Sequence, residues 1–519
     1  IAPDGKYVIY AVQSPAGYSL RIRHVATGSD VQIVPPLPTP FRGGGFSPDG
    51  NYVYYVNQET GGPGYSYLYQ VPVLGGATRR LLFDIDTAVS FSPDGRRFVF
   101  MRGYPTNAES ALIIADADGT GERKLKVRKD PARFAPIAPA WSPDGSRIAA
   151  VVFSGTIDSR QQIALFNATD GREAGTLGSS WFDVNGLHWL PDGTALAATA
   201  SDRRGNLMHQ IWLVPYPDGA ARRVTNDLND YADVSVTTDG RTLATTLRNR
   251  TAGLWVAPGG ETGAAHQVAF GADREESIYE LSSAGPGSLL VIGQQAETQR
   301  LWRIRADGSK RVDLTPSSAI PFNPAASAAG SLLAVALAGE EPMPHIFVVD
   351  RDGGDLRQVT HGESGEQLPA LSPDGRFLLY ASFGDRELRR VDLPGGEPHT
   401  IATDLNGSSV VSPDGRSVAF DSFVTVENRL RRYLVIIPSA GGAPIARIPW
   451  PEGDSPRWPP PGDAITYQRV SEGVGNVWSQ PIDGGAPHPI THFTSDQIFD
   501  HDWSPDGRTL YLARGTLTH

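Results

Sequence analysis

"WSPDGSRIAAVVF" occupies Trp141–Phe153, and a near copy, "WSPDGRTLYLARG", occupies Trp503–Gly515. Each is a four-residue corner that runs straight into an apolar strand. Pro presets φ at about −65° for the second turn position, Asp bonds its own backbone, and Gly supplies a positive φ. Corners of this kind also begin at Ala2, Ser47, Ser92, Leu190, Ser372 and Ser412, with an eroded copy at Thr237-Thr238-Asp239-Gly240. Weaker copies lie in "SSAGPGSLLVIG" from Ser282, "ASAAGSLLAVAL" from Ala326 and "WPPPGDAITY" from Trp458. That makes about twelve units, spaced roughly 40 to 50 residues apart, the period of a four-stranded propeller blade.

The segments between corners complete the blade. After the corner comes a strand such as "YVYYV" from Tyr52 or "FLLYAS" from Phe377, and then a third such as "ALIIADADG" from Ala111. A second Gly-rich corner leads to a short outer strand, for example "RRVT" at Arg222–Thr225 or "RQVT" at Arg357–Thr360. No long window has helical periodicity. One such sheet cannot bury both of its faces, so neighbours must stack around an axis, and a ring holds about four to eight blades. The sequence therefore predicts an all-β chain of tandem β-propellers with about twelve four-stranded blades. The corner motif decays around Gly271–Ser277, which places a first propeller at residues 1–273 and a second at 274–519, about six blades each.

Composition agrees. Gly (57) and Pro (42) make up nearly a fifth of the 519 residues, as suits a turn-rich β protein. A net charge of −11 argues against a general nucleic-acid binder, which needs a basic surface. With no cysteine there is no disulfide and no Cys-based metal or redox site. No apolar run is long enough to span a membrane. The chain opens on "IAPDG", already inside a repeat, and is expected to be a fragment trimmed at both ends.

Several phrases are more specific than the corner: "VATGSDVQIVPP" (Val25–Pro36), "YQVPVLGG" (Tyr69–Gly76), "ESALIIADADGTGERKL" (Glu109–Leu125), "VTNDLNDYADVSVTTDG" (Val224–Gly240) and "NVWSQPIDGGAPHPITHFTSDQIFDHDWSPDG" (Asn476–Gly507). On these the chain resembles the TolB-type, WD-like β-propeller repeats. More narrowly, it resembles the C-terminal propeller region of bacterial membrane-bound serine/threonine protein kinases. The resemblance implies an extracytoplasmic, periplasmic module that binds a protein or envelope ligand and is tethered by a transmembrane helix outside these residues. The kinase motifs themselves are not here: there is no HRD loop, DFG, VAIK lysine or Walker A sequence.

Other chemistry is sparse. "PAGYSLR" from Pro15 begins like a hydrolase nucleophile elbow but has Arg where Gly is required. "DADGTGE" (Asp116–Glu122) and "DRDGGD" (Asp350–Asp355) have the acidic spacing of a calcium loop without its later ligands, and read as β-turns. The eleven histidines form no metal motif, and no catalytic residue, metal or cofactor is expected. Trp141, Trp189 and Trp503 precede corners and read as inter-blade packing. Long, dissimilar, acidic and aromatic loops fall at the end opposite the corners: "GSSWFDVNG" from Gly178, "TNDLNDYAD" from Thr225 and "FTSDQIFDHD" from Phe493. Variable loops on rigid strands suit recognition. The expected binding rim comprises Trp181, Phe182, Asp227, Asp230, Tyr231, Asp496 and Phe499, unless these residues only cap loops and staple blades.

Overall fold

Where a corner reads Ser-Pro-Asp-Gly, its serine and aspartate lock it by side-chain hydrogen bonds. In the computed structural model Ser92 Oγ donates to Asp94 (2.6 Å) and accepts the N–H of Arg97 (3.0 Å), while Asp94 accepts the N–H of Arg96 (3.1 Å). Ser142–Asp144, Ser412–Asp414 and Ser504–Asp506 repeat the bond at 2.6 Å, and Thr237–Asp239 makes it with a threonine. The serine hydroxyl, followed by the backbone N–H, holds the carboxyls of Asp94, Asp414 and Asp506 below the usual range. Gly95 has φ +69°, and a Cβ there would sit 3.7 Å from Pro48 of the preceding corner. Gly145 meets Pro93 in the same way, so consecutive corners stack glycine on proline.

The structure describes the chain except residues 15, 60–64, 105–106, 131, 154–159, 203–207, 218, 228, 269–276, 296–297, 316–318, 339–342, 351–353, 355, 363–364, 383, 427–428, 451–453 and 519, and except the side chains of 179, 406, 423–431 and 454–455. The stretch where the corner motif decays lies outside the described residues apart from Ser277, as does most of Asp350–Asp355. Asp116–Glu122 is a turn: Gly119 N–H donates to the Asp116 carbonyl and Thr120 Oγ1 to Asp118. Among the described residues no helix is long and apolar enough to cross a membrane, and no group of three or more His, Asp or Glu is placed to hold a metal ion.

The chain divides into two compact units, Ile1–Arg248 and Asn249–Thr518, with six of the corners in each. The four-stranded sheets are antiparallel meanders running from an inner to an outer strand. In the first unit one is Ser90–Phe91, Arg97–Tyr104, Glu109–Asp116 and Arg123–Lys129, in that order. Others begin at Phe41–Phe46, Ala140–Trp141 and Asp183–Trp189. The sheet at the start has three strands, Tyr7–Ser14, Gly17–His24 and Asp30–Leu37. The last sheet of this unit is smaller. Ser235–Val236 pairs with Leu243–Ala244, and Asp230–Tyr231 pairs with Leu247 and Arg248. Its corner returns to the first one, since Thr238 N–H donates to the Pro3 carbonyl at 3.0 Å.

The second unit has five four-stranded sheets, whose inner strands are Ile278–Ser283, Ile320–Ala326, Glu366–Leu371, Leu405–Val411 and Asp454–Arg457. Its sixth sheet is assembled from both ends of the unit. Gln497–Trp503 and Thr509–Thr518 come from the C-terminal side; Asn249–Pro258 and His266–Gln267 come from the N-terminal side. Ten consecutive pairs, Asn249↔Thr518 to Pro258↔Thr509, join the two halves.

The core is a series of layers between neighbouring sheets. Trp181, Val151 and Ile163 of one sheet interleave with Trp189, Leu196 and Trp212 of the next. Burying each large side chain contributes about 1.5–3 kcal/mol. Hydrogen bonds cross the same layers: Trp189 Nε1 donates to the Ala140 carbonyl (3.1 Å), and Trp141 N–H donates to Ser90 Oγ (2.9 Å). These two tryptophans therefore pack blades, as their positions ahead of the corners imply.

Candidate functional site

Two polar constellations stand out, one in each unit. In the first, strand Asp183–Trp189 and the residue before strand Gln210–Pro215 bring Asp183 and His209 beside Asp230. The His209 ring contacts Asp230 through Nδ1 (2.8 Å) and Asp183 through Nε2 (3.0 Å), and its backbone N–H also donates to Asp230 (2.8 Å). Burial opposes the charged imidazole, but hydrogen bonds and charge from the two aspartates outweigh it, and its pKa rises to about 9. His209 is thus a cation held between two carboxylates, tying neighbouring sheets together.

Five of the seven rim residues of the sequence reading belong to the unit that holds this clamp, and they divide by exposure. Trp181 has no exposed surface: it packs edge-on against Trp212 at 5.0 Å. Phe182 and Tyr231 are half-buried and Asp227 is exposed. The Tyr231 hydroxyl donates to Asp227 (2.8 Å), and Asp227 also accepts the N–H of Asn229 (3.0 Å). Phe182 adjoins Asp183 and Tyr231 adjoins Asp230, so the clamp fixes the backbone beneath both rings. The structure thus joins Asp227 to Tyr231 and Asp230 to His209, and buries Trp181 against Trp212.

Asp496 and Phe499 belong to the second unit. Asp496 pairs with Arg514 (3.0 Å), whose guanidinium also lies over Phe493 (4.3 Å) and Trp255 (4.5 Å). Phe499 lies 5.0 Å from the guanidinium of Arg250, which covers Tyr279 at 3.7 Å. Burial pushes the pKa of Arg250 down to about 10.

The second constellation was not anticipated from sequence. Arg457 donates to Asp500 (2.9 Å) and lies 3.7 Å from Asp502; both carboxyls are raised by burial against the opposing pull of Arg457. Asp500 accepts the N–H of Leu281 (2.9 Å) and Asp502 that of Ser283 (2.8 Å), which fastens the closing sheet to its neighbour. Glu280 accepts the N–H of Asn323, and Asn323 accepts the N–H of Leu368 (3.4 Å), carrying the same device across the next two sheets. Burial, then the charge of Asp500, raises Glu280 to about 7. His501, between the two aspartates, points the other way: it is fully buried against Thr466 Oγ1 (3.1 Å), and burial drives its pKa well below the ordinary value. It does not reach the rim. The trace of this cluster in sequence was the polar alternation "DHDW", but its partners are up to 220 residues away.

No family model matches the chain. It is 31% identical over 151 residues to the uncharacterized protein Atu1656 of Agrobacterium fabrum, covering 28% of this chain and 50% of that one. It is 25% identical over 230 residues to the uncharacterized peptidase YuxL of Bacillus subtilis, covering 43% of this chain and 31% of that one. The chain thus spans half or less of the length of these curated relatives. Among solved structures, a putative TolB from Agrobacterium tumefaciens matches with TM-score 0.42 and 20% identity over 51% of this chain and 99% of that one.

Proposed function

We propose that this chain is a non-catalytic, protein-binding propeller module on the extracytoplasmic side of a bacterial membrane, where it senses a polypeptide or envelope ligand for a serine/threonine kinase domain elsewhere in the polypeptide. The binding role is supported by the partly exposed Phe182 and Tyr231, each next in sequence to an aspartate of the Asp183–His209–Asp230 clamp, and by Asp227 on the Tyr231 hydroxyl. Aromatic side chains on a frame that needs no reordering lose little entropy on binding. The kinase attachment is supported by the phrases at Val25–Pro36, Glu109–Leu125 and Asn476–Gly507. Envelope polypeptides captured by the purified chain supply the test: Phe182→Ala and Tyr231→Ala each weaken capture about tenfold or more while moving Tm little. Unchanged capture by the double variant removes the site from the reading. Sequencing upstream of Ile1 for a membrane helix and HRD and DFG motifs tests the kinase link.

A second reading, a gating propeller for a peptidase, is favoured by the YuxL match. A catalytic domain encoded beside this chain, with cleavage slowed by propeller variants, selects it. A cleavable signal directly upstream selects a free envelope adaptor instead.

A further inference from the structure

Two arginines of the second unit's closing sheet lie against aromatic rings, and among the described residues only one of them meets a carboxylate. Arg514 lies over Trp255 and Phe493, pairs with Asp496 (3.0 Å) and donates to the Ser495 carbonyl (3.0 Å). Arg250 covers Tyr279 at 3.7 Å and lies 5.0 Å from Phe499. Among the described residues its guanidinium has no ion pair and no hydrogen bond.

One local device, used twice, places the rings. Tyr279 and Phe499 stand at the same step of neighbouring inner strands, Ile278–Ser283 and Gln497–Trp503, each where the register with the next strand shifts. A bulge of this kind leaves one residue out of the ladder and re-aims its side chain. The residue after each ring is an acid, Glu280 or Asp500, and other donors occupy both. Glu280 accepts from the backbone and side chain of Asn323; Asp500 accepts from Leu281, His501 and Arg457. The two acids act on Arg250 through their charge without bonding to it. Arg250 itself comes from the third strand of the closing sheet, opposite Leu517. It, Tyr279 and Phe499 all keep part of their surface in water.

A guanidinium carries its N–H donors around its edge, and rings can cover only its faces. Burial lowers the pKa of Arg250 to about 10, so holding this charge without a bonded acid already costs the fold. What the edge lacks is an anionic acceptor. A carboxylate meets such an edge with two parallel hydrogen bonds. Glu280 and Asp500 oppose the second negative charge that a phosphate dianion would bring. One such pair supplies too little free energy to hold a small anion tightly, so the carboxylate must belong to a larger ligand. We propose that Arg250, Tyr279 and Phe499 form a receptor for a single carboxylate of a polypeptide partner, its C-terminus or an acidic side chain. This site belongs to the second unit and stands or falls independently of Phe182 and Tyr231.

Isotope-labelled arginine in the 519-residue chain tests the proposal by magnetic resonance. The Arg250 side-chain N–H signal is displaced by its two rings. Loss in Arg250→Lys identifies it, and movement in Phe499→Leu identifies it a second way should the lysine variant not fold. Titration with N-acetylglycine, which models a C-terminus, and N-acetylaspartate α-methylamide, which models an acidic side chain, is expected to move this signal saturably. The expected dissociation constant is about 10 mM, weakened about threefold in Phe499→Leu. Whichever probe binds more tightly names the kind of carboxylate. Tighter binding of glucuronate would assign the site to an acidic sugar, and tighter binding of inorganic phosphate to a phosphate group; either overturns the proposal. So does a signal that none of the four probes moves.

Discussion

The closing sheets of the two units solve one problem with different bonds. The second unit joins its ends by a ten-pair ladder and by Asp500 and Asp502 accepting the N–H groups of the neighbouring inner strand. In the first unit the last corner meets the first through a single backbone contact, from Thr238 N–H to the Pro3 carbonyl. Backbone ladders bury their own polar groups and carry apolar side chains into the core, whereas a corner contact does neither. The second closure should therefore cost more to disturb.

The sharpest test is a matched leucine pair: Leu510, three residues after Gly507, is fully buried, whereas Leu243, at the same offset from Gly240, is exposed. Leu510→Ala should cost the second unit about 2–5 kcal/mol, as expected of a fully buried leucine, while Leu243→Ala should cost the first unit under about 1 kcal/mol. Calorimetry or denaturant titration reads both. Equal losses would mean that the exposed strand is packed in solution and would erase the contrast.

Protonation offers the next test. His209, with its pKa raised to about 9, contributes stability that is complete below about pH 6.5 and lost as pH rises through 9. His209→Gln should cost the first unit about 2–3 kcal/mol at pH 6, from the size of that shift, and much less at pH 10. Glu280 acts in a lower window. Its pKa is raised from 4.5 to about 7, so the folded unit holds the proton more tightly and loses stability as pH climbs between those values. Glu280→Gln should flatten that slope and stabilise the second unit at pH 8 by about 1–3 kcal/mol. A pH-independent difference for either variant would show that the group does not titrate in its window.

The smallest effect belongs to the corners, which both units share. Ser412→Ala removes a donor to Asp414 and an acceptor for the N–H of Ser417, and should cost about 1 kcal/mol by thermal melting. The corresponding loss at Ser92 should be similar, because the corner is local and insensitive to how its ring closes.

The corners were legible in the sequence because everything they need lies within six residues: a hydroxyl, a proline, a carboxylate, a glycine and the N–H groups that follow. Another regular device passed unnoticed. Thr225, Thr315, Thr360 and Thr491, at or just beyond the outer strands, each accept the N–H of a residue fourteen positions earlier, Ile211, Leu301, Ile346 and Val477. Its trace was the closing threonine of "RRVT" and "RQVT". Trp181 and Phe182 are adjacent aromatics of one acidic loop, and no local pattern tells which turns inward; the packing partner Trp212 decides it. Glu280, Arg457 and Asp500 meet only because ring closure brings inner strands together.

By itself the sequence determined the all-β architecture, the repeat length and the local turn chemistry, because each is set by interactions a few residues long. Only the tertiary structure decided which strands complete each ring, which polar side chains share a buried field, and which aromatics remain at the surface. Those outcomes depend on contacts between segments tens to hundreds of residues apart, whose pairing no local pattern encodes.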